Sequence, residues 1–206
     1  MFITFEGPEG AGKSTQLRLL ADTFRSDGFD VVVSYEPGGT SLGDAIRKLL
    51  LAPESASPLT PRAEALLFAA ARAQLVDEVV RPGLASGAIV LCDRFSDSTF
   101  AYQVSGRGLP ADEVAQVVRF ATGGLKPDLT FLLDLDVTAG LLRKRAALVD
   151  RMEREEISFH ERVRSGYLML ARREPDRIVL LDAQRPVGEL AAEIRQRAFA
   201  RLRAAS

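Results

Sequence analysis

The run Gly7-Pro8-Glu9-Gly10-Ala11-Gly12-Lys13-Ser14 constrains the fold more than any other stretch, because it works only between a strand and a helix. It fits G-x-x-x-x-G-K-[ST], the phosphate-cradling P-loop. Phe2, Ile3, Thr4 and Phe5 are β-branched or aromatic and read as a buried strand. After Lys13 the apolar residues Leu17, Leu20 and Phe24 recur at helical spacing. Gly7, Gly10 and Gly12 allow a tight turn that aims successive N–H groups at one point. The helix N-terminus adds partial positive charge there and Lys13 a full one. The Ser14 hydroxyl suits Mg²⁺, a cation that prefers oxygen ligands. The alternative is a glycine-rich turn that matches by accident, but the agreement of both flanks weighs against it.

Strand-like runs continue at Val31–Val33, Ile89–Cys92, Leu129–Leu135 and Ile178–Leu181. Each is short and apolar nearly throughout, as parallel strands covered on both faces are. Helical patterns lie between them: Leu42–Leu51, Ala63–Val80 with a stop at Pro82-Gly83, Asp112–Ala121, Thr138–Ala147, Ser158–Arg173 and Val187–Arg203. The alternation predicts a P-loop NTPase-like three-layer α/β sandwich, a five-stranded parallel sheet with helices on both faces, in a single domain over 1–206. Ligands then sit beyond the carboxyl ends of the strands.

Composition narrows the function classes. A net charge of −1 over 206 residues and a pI near 6.0 give no general pull toward nucleic acid. Asparagine is absent, which removes an Asn-Lys-x-Asp guanine-reading motif. No apolar run approaches the ~18 residues needed to span a bilayer, and the N-terminus runs straight into a strand rather than a leader. A cytoplasmic protein without membrane contact is expected. The single cysteine, Cys92, reads as a small buried hydrophobe, and the single histidine, His160, as a packing or surface residue of its helix.

Other strand ends carry candidate ligands. Asp93 closes the third strand, where a carboxylate can hold Mg²⁺ or its waters, and Arg94 follows as a phosphate clamp, unless the two form only a strand-end ion pair. Pro37-Gly38-Gly39 is a sharp turn, and Arg47 lies about two turns into the next helix, by itself a surface arginine. Phe68 and Arg72 share one face of the long helix at i,i+4. They would hold a nucleobase by stacking and hydrogen bonding, or be a core Phe beside a solvent-facing Arg, and apolar faces of this kind are mostly core. The stretch Arg143–Glu156 is either a solvated helical surface or a mobile lid whose arginines close over phosphates; composition alone favours the surface.

The motifs "GPEGAGKST", "EPGGT", "FAAARAQL", "DRFSDSTFAYQ", "GRG" at Gly106–Gly108 and "KPDLTFLLDL" occur together and in order, and the chain resembles bacterial thymidylate kinases over nearly its whole length. The resemblance implies transfer of the ATP γ-phosphoryl to dTMP, with Mg²⁺ as cofactor, in a homodimer. It implies ATP on Gly7 to Thr15, with Arg143 against the adenine and Ser14 and Asp93 at the metal. It implies dTMP bound by Glu9, Pro37, Arg47, Phe68, Arg72, Arg94, Ser98, Thr99, Tyr102 and Gln103. Phe68 would stack on the base, Arg72, Thr99 and Gln103 would read its edge, and Tyr102 would disfavour a 2′-hydroxyl. Lys13, Arg94 and Arg151 are the implied catalytic residues, Arg151 lying on a lid at about 146–158. Tyr35 departs from the arginine common before Glu-Pro-Gly-Gly, so one phosphate contact is missing or replaced. A kinase for another nucleotide or nucleoside, or a P-loop module that binds ATP to switch a partner, remains the alternative reading of the bare P-loop.

Overall fold

The computed structural model describes residues 1–52, 59–144, 151–152 and 154–205. In chain order the elements are β1 Phe2–Glu6, α1 Lys13–Ser26, β2 Val31–Tyr35, α2 Ser41–Leu51, α3 Pro61–Leu75, α4 Arg81–Ala85, β3 Ile89–Asp93, α5 Ser96–Thr99, α6 Ala111–Thr122, β4 Leu129–Asp134, α7 Val137–Lys144, α8 Ile157–Arg173, β5 Ile178–Asp182 and α9 Val187–Ala205. The strands form one parallel sheet in the order β2-β3-β1-β4-β5. The order reverses at β1, so the loop after β1 and the ends of β3 and β4 share one crevice.

The period of two along each strand builds the layers. Ile3, Phe5, Leu91, Phe131 and Leu133 face α1 and α9, meeting Leu17, Leu20, Phe24, Leu190 and Ile194. Phe2, Val90 and Cys92 face the other way, onto Leu75, Val76, Val80 and Phe95. Leu132 and Ile178 pack beneath Tyr102, Phe159, Val163 and Tyr167. Cys92 is fully buried, and burial pushes its thiol pKa well up, so it behaves as a packing residue. His160, 4% exposed, sits edge-on to Phe159.

Two local expectations need correction. The long helix does not stop at Pro82-Gly83. A π-helical stretch, Val76–Val80, follows α3, and the Arg81 N–H reaches back five residues to the Val76 carbonyl. The widened turn sets Pro82 at the start of α4, where its missing N–H costs little. The "DRFSDSTFAYQ" segment, for which periodicity gives no element, is helical from Ser96 on. Four residues of α5 pass into a π-helical stretch, Phe100–Gly106, packed on α8 so closely that a Cβ on Gly166 would come 2.4 Å from Ser105 Oγ. The segment expected as a lid lies partly outside the described residues, at 145–150 and 153.

Candidate active site

The loop between β1 and α1 is fitted against the strand beside it. At Gly7 (φ +135°) a side chain would meet the Leu133 carbonyl oxygen at 2.2 Å, and at Gly10 (φ +73°) the Gly140 carbonyl oxygen at 2.2 Å. Only glycine combines that backbone with that approach. Lys13 turns back along the loop, its Nζ donating to the carbonyls of Pro8 (2.9 Å) and Gly7 (3.2 Å). The Ser14 hydroxyl donates to Asp93 Oδ2 at 2.5 Å, so the end of β3 meets the start of α1. Two hard oxygen ligands from separate elements therefore stand side by side, a donor set that suits Mg²⁺.

Arg94 has a left-handed backbone (φ +70°), unusual for a residue with a Cβ. Its N–H bonds the Phe5 carbonyl (2.9 Å). The guanidinium donates to Glu9 (2.5 Å), to the Gly7 carbonyl (3.0 Å) and to Tyr167 Oη (3.0 Å), and lies 5.2 Å from the Tyr102 ring centre. Tyr102 Oη also donates to Glu9 (3.2 Å). Beneath them Glu6, fully buried at the end of β1, accepts from Phe95 N, Ser98 Oγ and Tyr167 Oη. Burial, aided by the nearby Asp97 charge, raises its carboxyl pKa to about 7. The Ser98 hydroxyl thus ties Glu6 below to the cleft that the residue also lines.

Across the crevice, Phe68 is half-buried and lines the cleft, so it is not a core residue. Arg72 is 1% exposed, which overturns the solvent-facing alternative for it. Nε and Nη2 donate to Glu36, Nη2 also to the Phe95 carbonyl (3.1 Å), and Nη1 to Thr99 Oγ1 (2.7 Å). Of the five N–H groups of a guanidinium, these contacts leave one on Nη1 for the cleft. Arg47 donates to the Pro37 carbonyl (2.9 Å) and lies 5.5 Å from the Tyr35 ring centre. Tyr35 in turn donates to Asp44 (2.9 Å), so a tyrosine-based support for Arg47 occupies the place where an arginine was expected.

One cleft of about 770 Å³ is lined by Glu9, Gly10, Gly12, Lys13, Ser14, Thr15, Pro37, Arg47, Phe68, Arg72, Asp93, Arg94, Ser98, Thr99, Tyr102, Gln103 and Arg143. Gly7, Pro8 and Ala11, of the same loop, do not line it. Arg143, on α7, also donates to the Ala183 carbonyl (3.3 Å). Arg151 does not line the cleft. Its guanidinium donates to Glu64 (2.6 Å) and to the Leu50 carbonyl (2.8 Å), and the neighbouring Met152 is 5% exposed. Residues 151 and 152 thus depart from the solvated surface that composition favours.

Sequence reasoning missed Glu64. It is 1% exposed and collects Arg107, Arg151 and Gln103. Its signal was available, since Glu64, Phe68 and Arg72 fall at i, i+4 and i+8 on one helix face. Glu6, Glu36 and Tyr167 were also missed. Each is a buried polar residue whose partners come from distant segments.

A phosphate loop at one end of a cleft, an arginine-lined middle and an aromatic–arginine pocket at the other end define a P-loop nucleoside monophosphate kinase. Residues 5–194 match the thymidylate kinase family model. The chain is 52% identical over 195 residues to the thymidylate kinase of Deinococcus radiodurans, covering 94% of each chain. It is 54% identical over 187 residues to that of Thermomicrobium roseum, covering 90% of this chain and 88% of that one. The crystal structure of thymidylate kinase from Ehrlichia chaffeensis superposes with a TM-score of 0.74 at 34% identity, covering 88% of this chain and 91% of that chain. The chain belongs to the thymidylate kinase family, enzymes that phosphorylate dTMP to dTDP with ATP in dTTP synthesis.

Proposed function

We propose that the two ends of the cleft divide the substrates of this reaction. ATP lies along Gly7 to Thr15 with its adenine toward Arg143; dTMP lies with its base between Phe68 and the Arg72–Gln103 edge and its phosphate toward Arg47 and Arg94. The observation that carries this reading is that Lys13, Arg94, Phe68 and Gln103, far apart in sequence, line one continuous cleft. The monophosphate oxygen is already anionic, so no general base is needed, and catalysis is positioning and charge neutralisation. Lys13 and Arg94 offset the charge that builds between the ATP triphosphate and the acceptor monophosphate, most strongly in the transition state. Ser14 and Asp93 would hold Mg²⁺, which when bound neutralises charge on the donor phosphates. Among the described residues no cluster of three metal-binding side chains stands elsewhere. Such an ion then keeps most of its ligands as water and phosphate.

The experiment is ADP release from ATP measured against a panel of dTMP, dUMP, dCMP and the ribonucleotide of thymine. Release that depends on dTMP and is weaker for its ribonucleotide supports the reading and the role of Tyr102. Release indifferent to the acceptor would reject it in favour of a nucleotide-switched module. Phe68→Ala is expected to raise KM for dTMP by roughly ten- to a hundredfold with kcat little changed, the scale of one base–aromatic stack. An unmoved KM places the base elsewhere.

The proposal also makes the 146–158 segment of this single domain a lid and Arg151 its catalytic arginine. For that role Arg151 must leave Glu64 when ATP binds. Arg151→Ala is expected to lower kcat by about 10³, the lower edge of what such arginines supply. A kcat within a few-fold of the parent would leave Arg151 only its present tie to Glu64. A homodimer packed through helices on one side of the sheet completes the reading. Phe120 on α6 is 91% exposed and Leu66 on α3 is 58% exposed, on helices that touch each other. A monomer mass in sedimentation would remove that element. A cytoplasmic location accompanies ATP as donor. Among the described residues no helix is long and apolar enough to cross a membrane.

A further inference from the structure

We infer that Glu64 is a positioning residue for acceptor selection: it holds the Gln103 amide by its NH₂ group, so that the amide oxygen is what the cleft offers to position 3 of the acceptor pyrimidine. The inference rests on the placement of the base at Gln103 proposed above. Gln103 is 1% exposed yet lines the cleft, and its Nε2 lies 3.0 Å from Glu64 Oε1. An amide side chain alone does not fix which end faces a ligand, since O and N are near-isosteric. An ionised carboxylate does fix it, because it only accepts.

Glu64 is held in that state by three N–H donors from two arginines, two of them on Arg107 and so kept when Arg151 moves toward ATP. Arg107 donates through Nε (3.1 Å) and Nη2 (3.0 Å), and Arg151 through Nη2 (2.6 Å). Arg107 is itself anchored by Glu155 (2.6 Å) and stands 4.5 Å from the Phe159 ring centre. Burial works to raise the Glu64 pKa, but hydrogen bonds from Arg107, Gln103 and Arg151 outweigh it and keep the carboxyl below its usual range. The opposite amide orientation would set NH₂ away from the carboxylate and oxygen against oxygen, trading a charge-assisted hydrogen bond for a repulsion. Among the described residues the Gln103 side-chain amide oxygen, Oε1, accepts no hydrogen bond, so its acceptor capacity is available to a ligand.

The chemistry then selects. Thymine and uracil present an N3–H donor, which the amide oxygen accepts. Cytosine presents a bare N3 acceptor there, which an oxygen repels. A site built around a fixed polar partner discriminates far more sharply than an apolar one, because the wrong ligand leaves a buried group unpaired. Glu64 therefore sets selectivity without touching the acceptor.

The test is the ratio of kcat/KM for dTMP over dCMP in the parent, Gln103→Leu, Glu64→Gln and the double variant. Gln103→Leu is expected to lower the ratio about tenfold or more, Glu64→Gln by a comparable factor, and the double variant no further than Gln103→Leu alone. If Gln103→Leu leaves the ratio unchanged, the placement of the base is wrong and this inference falls with it. If Gln103→Leu lowers the ratio and Glu64→Gln does not, only the inference falls. Glu64→Asp withdraws the carboxylate by one methylene and is expected to give an intermediate ratio. It carries the test alone should Glu64→Gln fail to fold, and a parental ratio in it overturns the positioning role. A role confined to packing would lower Tm in these variants and leave the ratio where it was.

Discussion

Lys13→Ala is expected to lower kcat by about 10³ while leaving the affinity for dTMP within about twofold. The ammonium stands at the N-terminus of α1, where the loop N–H groups and the helix dipole already favour anions. Its bonds to the Gly7 and Pro8 carbonyls hold it over the loop before any ligand arrives. A donor positioned in advance loses nothing to reorganisation as charge develops, and removing one such donor elsewhere costs 10²–10³. A full charge facing the donor phosphates belongs at the upper end, about 4 kcal/mol of barrier. Lys13→Arg is expected to be nearly as impaired, since a planar fork cannot take the place of a compact ammonium between two carbonyls. The contacts proposed for dTMP come from Phe68, Arg72 and Gln103, on other elements, so dTMP binding by calorimetry should barely move. A kcat within tenfold of the parent would mean that the donor tail does not lie in this loop.

The phosphate end was legible in the sequence because its physics is local. A strand, three glycines, a lysine and a helix start fall within about twenty residues, and the contacts that fix Gly7 and Gly10 need only the adjoining β4–α7 connection. The sheet was legible for a related reason. Strands covered on both faces are apolar throughout, and all five were placed to within two residues at either end.

The acceptor end resisted because its residues are defined by partners far along the chain. Arg72 looked solvent-facing until Glu36, thirty-six residues away, supplied a buried carboxylate. Glu64 was passed over because the partners that define it, Gln103, Arg107 and Arg151, lie 39, 43 and 87 residues further on. The α5 segment was missed because Ser96, Asp97, Ser98 and Thr99 are weak helix formers. What makes it helical is tertiary: Ala101, Tyr102 and Gln103 are buried against α8, and that packing turns Thr99, Tyr102 and Gln103 into the cleft. The motif resemblance reached these residues without their geometry: it named Ser98, which lines the cleft, but not the bond from its hydroxyl to Glu6.

Arg94→Ala and Arg94→Gly are expected to lose about 10³ in kcat alike and to differ in stability. Both remove the guanidinium that joins Glu9, the Gly7 carbonyl and Tyr167, and with it the positive charge proposed to lie between the two phosphate ends. They differ only at the backbone. Arg94 holds φ at +70°, a conformation that costs a residue with a Cβ about 1 kcal/mol and costs glycine almost nothing. Its N–H bond to Phe5 and the side-chain contacts together over-determine that geometry. Alanine keeps the strain and loses the contacts that hold it; glycine loses both. Arg94→Gly should therefore melt about 2–4 °C above Arg94→Ala in a chain of this length. The comparison separates two roles that a single substitution would confuse. Equal melting temperatures would show that the left-handed turn carries no strain. A glycine variant that retained kcat would show that the guanidinium takes no part in stabilising the transition state. The expected result, the more stable variant being just as inactive, makes the strained turn after β3 a cost in stability borne to place one arginine between the two substrates.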